Sequence, residues 1–269
     1  QAAPILVQGL RKLEYRGYDS AGVAIKDGDT MARIRAVGKI ENLAGQVKTK
    51  ELPGTEGIAH TRWATHGGVN SENAHPHTAC SDNIVLVHNG IIENYREIKE
   101  SLGEAHTYES ETDSEILAHL IESHVAEKKD LTCETFREAI QTALTHVRGT
   151  YGLVVMHKHI PNCLIGARMG SPLVIGVSEK DGQQEHFIAS DTTPILPYTR
   201  EILFLEDGEM AQISRESVQI FSHHKELIEK CTEHVDWDEQ AAQKQGYEHF
   251  MLKEIFDQPT VFEDAIRGR

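Results

Sequence analysis

Between Tyr151 and Phe221 the chain carries seven short apolar segments in succession, at 151–157, 163–167, 173–178, 186–190, 202–205, 209–213 and 217–221. Gly, Pro or polar residues close each one. Segments this short read as strands rather than helices, and the links between them suit antiparallel neighbours better than parallel crossovers. The first half of the chain reads differently. Ile5, Leu6, Leu10 and Leu13 form a helical stripe over 3–15 that stops at Arg16-Gly17. Residues 22–25 and 31–37 read as two strands joined by Lys-Asp-Gly-Asp, a hairpin signal. Further strands are expected at 57–63 and 84–88. Asn94 stands where it could cap a helix over 95–102, and Thr112-x-x-Glu115 has the form of a capping box for a helix over 113–126. Another amphipathic helix is predicted over 135–147. Helices early and antiparallel strands late predict a layered α+β domain. Periodicity leads no further than that.

The 269 residues are enough to bury a full core, and a net charge of −15 excludes the basic stripe that nucleic acid or an anionic membrane surface requires. No run of apolar residues approaches the ~18 needed to span a bilayer. Cys80, Cys133, Cys163 and Cys231 include no Cys-x-x-Cys pair, so zinc-ribbon and thioredoxin spacings are ruled out. Four free thiols in a reducing cytoplasm are the expectation. Sixteen histidines, among them His75, His77, His223 and His224, raise the question of a metal. No Glu or third His recurs at ligand spacing, so none is expected. After Phe221 the chain turns polar over 223–248, which reads as a linker ahead of a further helix at 249–257.

Chemistry concentrates in three places: Thr61-Arg-Trp-Ala-Thr-His-Gly67, Asn89-Gly90 and Glu111-Thr-Asp113. They supply a fixed cation, an amide beside a glycine, and a carboxylate. An α-amino acid carries a carboxylate, an ammonium and, in its side chain, a carbonyl, and each finds its opposite here. Arg grips a carboxylate through two parallel hydrogen bonds, Asp accepts from an ammonium, and an Asn amide with a Gly N–H can hold an oxyanion. Each residue also has a plainer reading. Arg62 alone would be a surface cation, Asn-Gly is a common type I′ turn, and Asp in a first helical turn is favoured by the helix dipole. His66 reads equally well as loop packing, and Trp63 as a core residue. Cys80 lacks the adjacent amine that would activate it as a nucleophile.

These segments, with Glu14-Tyr-Arg-Gly-Tyr-Asp-Ser-Ala-Gly22, Asn73-Ala-His-Pro-His77, His88-Asn-Gly-Ile-Ile-Glu-Asn94 and Ser110-Glu-Thr-Asp-Ser-Glu115, resemble the glutaminase domains of the glutamine–fructose-6-phosphate aminotransferase family. Met251-Leu-Lys-Glu-Ile-Phe-Asp-Gln-Pro259 is similar to the segment that leads into the family's sugar-binding half. The resemblance implies a four-layer α-β-β-α sandwich of two mainly antiparallel sheets, the fold of N-terminal-nucleophile hydrolases. It implies a glutaminase domain over 1–228 without its N-terminal strand, then a linker and the start of a sugar-phosphate isomerase domain over 229–269.

By the same resemblance, Arg62, Thr65, His66 and Asp113 bind L-glutamine, Asn89 and Gly90 form the oxyanion hole, Trp63 gates the passage of ammonia, and Arg16 supports the nucleophile pocket. The family's nucleophile is an N-terminal Cys, which is not among residues 1–269. No cofactor is implied for the amide step. Fructose 6-phosphate is the implied partner of the isomerase half, in a cytoplasmic protein that is a homo-oligomer at full length. Two rivals remain: another class II enzyme such as amidophosphoribosyltransferase, whose typical runs lack Tyr18 and Trp63, and a module that binds glutamine without cleaving it.

Overall fold

The computed structural model describes residues 1–64, 67–180, 182–236, 247 and 249–266. The chain divides into two compact units, Gln1–Glu233 and His234–Arg269.

The larger unit begins with α1 (Ala2–Leu13), the hairpin β1 (Ser20–Asp27) and β2 (Thr30–Val37), α2 (Ile40–Lys48) and β3 (Glu56–Arg62). It continues through β4 (His77–Thr78), β5 (Ile84–Ile92), α3 (Tyr95–Leu102), α4 (Asp113–Ala126) and α5 (Cys133–Leu144). The strand-rich half supplies β6 (Gly149–His157), β7 (Leu164–Met169), β8 (Val174–Lys180), β9 (Gln183–Ala189), β10 (Glu201–Phe204), β11 (Met210–Ile213), β12 (Val218–Phe221) and β13 (Leu227–Ile228). One sheet runs β13-β12-β11-β7-β6-β5-β4 and another β2-β1-β3, while β8 pairs with both β9 and β10. Every strand pairing in these sheets is antiparallel.

The layers follow from side-chain alternation. In β5, Ile84 and Leu86 pack with α4 and α5, whereas Val85 and Val87 enter the core between the sheets. In β6, Leu153 and Val155 take the first side and Val154 and Met156 the second. A period of two places alternate residues on opposite faces, so strands that are apolar at every position must be covered on both. The intersheet core also takes Ala24 and Ile58 from the small sheet, whose other face lies under α1 and α2 through Val23, Ile25, Val7, Leu10 and Leu43. The result is helix, sheet, sheet, helix: the α+β sandwich of two mainly antiparallel sheets expected above.

Several local expectations need correction. Helix α2 had no sequence signal, because Lys39 at its N-cap makes no side-chain cap. Helix α5 starts two residues early, where Thr132 and Thr135 form a complete capping box. The box at α4 is only half formed. Thr112 accepts from the Glu115 N–H, but the Glu115 carboxylate turns to the N–H groups of Glu109 and Ser110, 2.7 Å from each. Asn94 occupies the N-cap position of α3 without capping it; its amide instead donates to His146 O at 2.9 Å and accepts from Arg148 N at 2.8 Å.

Nor are all four cysteines free. Cys133 at the start of α5 is disulfide-bonded to the buried Cys163 just before β7, with Cα atoms 5.8 Å apart. The expected linker at 223–248 contains β13 and, at Glu233–His234, a further short strand, while residues 237–246 and 248 lie outside the described ones. In the second unit, α6 (Phe250–Ile266) runs beyond the expected end at 257. Among the described residues no helix is long and apolar enough to cross a membrane.

Candidate active site

Arg16, Arg62, Trp63, Asn89, Gly90 and Asp113 line one cavity of about 730 Å³ in the larger unit. Thr65 and His66 lie outside the described residues. Strands β3 and β5, from different sheets, and the first turn of α4 all contribute to its lining.

Arg62 ends β3 and is 4% exposed. Two of the sequence motifs hold it. Strand β1 pairs Ser20 with Arg62, Asp19 N–H donates to Arg62 O at 3.1 Å, and Asp19 Oδ2 accepts from Ala64 N at 2.7 Å. Gly17 is needed at this crossing, because a Cβ there would stand 2.9 Å from the Arg62 carbonyl carbon. The guanidinium donates to Gly68 O at 3.1 Å. Burial lowers its pKa, against the pull of Asp19, Asp113 and Glu111, but an Arg so placed stays charged. The Gly67–Asn73 loop is itself locked by Glu111. The Glu111 carboxylate accepts from Gly68 N and Asn73 Nδ2, at 3.1 and 3.0 Å, and Glu111 N donates to Asn73 Oδ1 at 2.9 Å. The Ser-Glu-Thr-Asp run therefore also braces the loop beside Arg62.

Asp113 is the first residue of α4 and is 4% exposed. Its Oδ2 accepts from Ile92 N at 2.8 Å, which ties the helix start to the end of β5. A carboxylate can accept about four hydrogen bonds, so capacity remains for a ligand ammonium.

Asn89 and Gly90 are not a turn. The β5–β6 register runs unbroken from Ile84↔His157 to Ile92↔Gly149, with Asn89 opposite Gly152 and Gly90 opposite Tyr151. Gly90 has φ of +132°, and a Cβ there would meet Thr150 O at 2.1 Å. Only glycine fits that backbone. The Asn89 side chain has a fixed orientation, because its Oδ1 lies 2.8 Å from His60 Nε2. Burial holds His60 at a pKa of about 4, outweighing the Asn89 hydrogen bond that favours its charged form. A neutral imidazole donating through Nε2 claims the amide oxygen and leaves the amide N–H groups for the cavity.

The half-buried His60 adjoins three buried histidines, His75, His77 and His88. It stacks on His75 with ring centroids 4.1 Å apart, and His75 meets His77 edge-on at 4.6 Å. Burial pushes His77 down to about 3 and His75 well below its usual value. His88 Nδ1 lies 2.9 Å from Ser114 Oγ and its Nε2 3.3 Å from Thr150 O. No sequence signal joins His60, His75, His77 and His88; their proximity arises only when β3, β4 and β5 meet.

Trp63 is 60% exposed, so its plainer reading as a core residue does not hold. Its ring meets the half-exposed Tyr18 edge-on at 5.9 Å. Arg16 Nη2 pairs with Asp191 at 2.6 Å, and its Nε accepts no proton but donates to Tyr15 OH at 2.9 Å.

Residues 60–197 match the model of the glutamine amidotransferase domain. The chain belongs to that family. It is 46% identical over its whole length to glutamine–fructose-6-phosphate aminotransferase [isomerizing] of Chlorobaculum tepidum and 45% identical to the enzyme of that name from Thermus thermophilus. It spans 43% and 42% of their lengths. Among solved structures, the glutamine phosphoribosylpyrophosphate amidotransferase of B. subtilis superposes with a TM-score of 0.68 at 25% identity, covering 84% of this chain and 48% of that one. These neighbours are amidotransferases with the N-terminal-nucleophile hydrolase fold, which is therefore the fold of this chain.

Proposed function

We propose that this chain is the glutaminase part of an enzyme that hydrolyses L-glutamine and uses the ammonia to convert fructose 6-phosphate to glucosamine 6-phosphate. The observation that carries the reading is the convergence of Arg62, Asp113 and the His60-oriented Asn89 amide on one cavity. Arg62 takes the substrate carboxylate, with Thr65 and His66 alongside, and Asp113 takes the ammonium. The side-chain carbonyl then lies toward Asn89 and Gly90. A cysteine thiolate attacks its carbon and the oxygen becomes an oxyanion held by the Asn89 amide and Gly90 N–H. Collapse breaks the C–N bond, ammonia leaves with a proton relayed by the cysteine's own α-amine, and water hydrolyses the thioester to glutamate. No cofactor takes part in these steps.

In this reading residues 1–228 form the glutaminase domain, whose nucleophile is the N-terminal cysteine of the intact protein. Residues 229–269 form the linker and the start of the isomerase domain. Trp63, exposed beside Tyr18, gates ammonia passage, and Arg16, fixed by Asp191, supports the nucleophile pocket. The whole protein is a cytoplasmic homo-oligomer. Identities of 45–46% to the sugar-phosphate enzymes, against 25% for the phosphoribosylpyrophosphate enzyme, favour this substrate over its rival.

The test is to treat the intact protein with diazo-oxo-norleucine and map the adduct. Labelling of an N-terminal cysteine with loss of glutaminase activity is expected. Labelling at Cys80, or glutamine binding without hydrolysis by a protein that has no N-terminal cysteine, overturns the reading.

A further inference from the structure

Away from the cavity, a second set of side chains converges on one point. Cys80 lies in the connection from β4 to β5, His106 in the segment leading to α4, and His119 and Glu122 one helical turn apart on α4. One ligand-type atom from each lies within 4.8 Å of all the others. Cys80 Sγ is 3.8 Å from His106 Nδ1 and 3.6 Å from His119 Nδ1. The two Nδ1 atoms are 3.0 Å apart, and Glu122 Oε2 is 3.9 Å from that of His106.

We propose that Cys80, His106, His119 and Glu122 form a structural zinc site. Bond lengths of about 2.3 Å to sulfur and about 2.05 Å to nitrogen at a tetrahedral angle place S and N about 3.6 Å apart and two N atoms about 3.3 Å apart. The S–N and N–N separations match that tetrahedron within a few tenths of an ångström, while the Glu122 oxygen stands farther off, 3.9 Å from His106 Nδ1. One thiolate, two imidazoles and a carboxylate are a borderline-soft donor set that suits Zn²⁺ and not Mg²⁺ or Ca²⁺. The two imidazoles can share one proton, and a thiol and a carboxylate, both metal-ligand types, converge on the same point.

The surroundings are built as a metal site's are. Thr107 N–H donates to Cys80 Sγ at 3.4 Å, which stabilises a thiolate. Glu122 is positioned by the chain it faces, accepting from Cys80 N at 3.2 Å and Ser81 N at 2.9 Å. His119 is 1% exposed, and its other ring nitrogen, Nε2, faces Glu115 Oε1 at 3.9 Å. Cys80 is exposed, so an ion can enter from solvent. As the Zn–S bond forms, the Cys80 proton passes to solvent. Four protein ligands close the coordination shell, which makes the ion a staple rather than a catalyst. It would join the segment entering β5, which carries Asn89, to α4, which carries Asp113.

The experiment uses the full chain, stripped by chelation and then titrated with Zn²⁺ against a chromophoric competitor. One equivalent is expected to bind and to raise the Tm. Co²⁺ in its place should give a thiolate-to-metal charge-transfer band. Cys80→Ser should abolish that band and weaken Zn²⁺ binding at least about tenfold, whereas Cys231→Ser, at the other free cysteine, should change neither. His106→Ala, at the solvent-facing rim, gives a second variant in which affinity must also fall. The proposal is overturned if the folded chain takes up no Zn²⁺, or if Cys80→Ser and His106→Ala bind it as the parent does.

Discussion

His60 Nε2 and Asn89 Oδ1, on neighbouring strands of different sheets, lie 2.8 Å apart, so the oxygen of the Asn89 amide is engaged and its nitrogen faces the cavity. This contact turns an amide that could face either way into a dedicated donor. On the proposed function, His60 would position the Asn89 donor of the oxyanion hole.

Asn89→Ala in the intact protein should lower glutaminase kcat by about 10²–10³ while KM holds, because the donor matters most once the carbonyl oxygen is an oxyanion. His60→Ala, which removes only the hydrogen bond fixing the amide, should cost about 1 kcal/mol, roughly fivefold in kcat. The double variant should be no slower than Asn89→Ala alone. Additive losses would mean that His60 acts elsewhere; a KM that rises several-fold with unchanged kcat in Asn89→Ala would make that residue a ground-state binder.

Arg62→Lys replaces a planar fork with a point charge at a site 4% exposed. Glutamine KM should rise by the equivalent of about 1.5–3 kcal/mol, on the order of 10- to 100-fold, with a smaller change in kcat. Steady-state kinetics on a variant that keeps the parent Tm makes the comparison. An unchanged KM would remove Arg62 from the carboxylate site.

The residues that chain order keeps adjacent were the legible ones. Arg62, Asn89-Gly90 and Asp113 each sit in a short distinctive run, and all of them line the cavity. The layered α+β architecture was legible because β5 and β6 are apolar on both faces. What could not be read were partnerships closed by topology. His60 meets Asn89, and Asn73 meets Glu111 across 38 residues, only through sheet packing. The Cys80, His106, His119 and Glu122 cluster defeats a search for ligand spacing, since only the last two share a helical turn. Asn-Gly also reads as a common turn pair, but the φ of +132° at Gly90 answers a close approach to Thr150, not a chain reversal. Cys133 and Cys163 likewise show no motif; the packing of α5 against β7's sheet brings them together.

That disulfide bridges a sequence separation of 30 residues. Cross-linking a loop of this size stabilises a fold by about 2–4 kcal/mol, chiefly through the unfolded chain. Reduction, or replacement of both residues by Ala, should lower denaturant-measured stability by that amount. Non-reducing and reducing mass spectra of alkylated protein would establish the bond. Alkylation of all four cysteines without prior reduction would exclude it.

Stability should fall on mild acidification, before the carboxylates titrate. His60 has a folded pKa of about 4 and His77 of about 3, whereas unfolded histidine titrates near 6.5. Between about pH 6.5 and 4 the unfolded chain therefore binds protons that the fold refuses, and unfolding becomes easier as pH drops. His60 alone accounts for about 3 kcal/mol across that window. Glu115 acts in a different range. Burial opposes its ionisation, yet its donors, His119 and the Glu109 and Ser110 N–H groups among them, hold it at about 2. Its contribution is intact above the unfolded value near 4.5 and is lost only as pH falls through 2. Denaturant titrations at pH 7.0 and 4.5 should thus differ by several kcal/mol, and His60→Gln should narrow the difference. A stability independent of pH across that interval would mean that these histidines titrate in the fold as they do in the unfolded chain, and their burial-lowered pKa values would have to be abandoned.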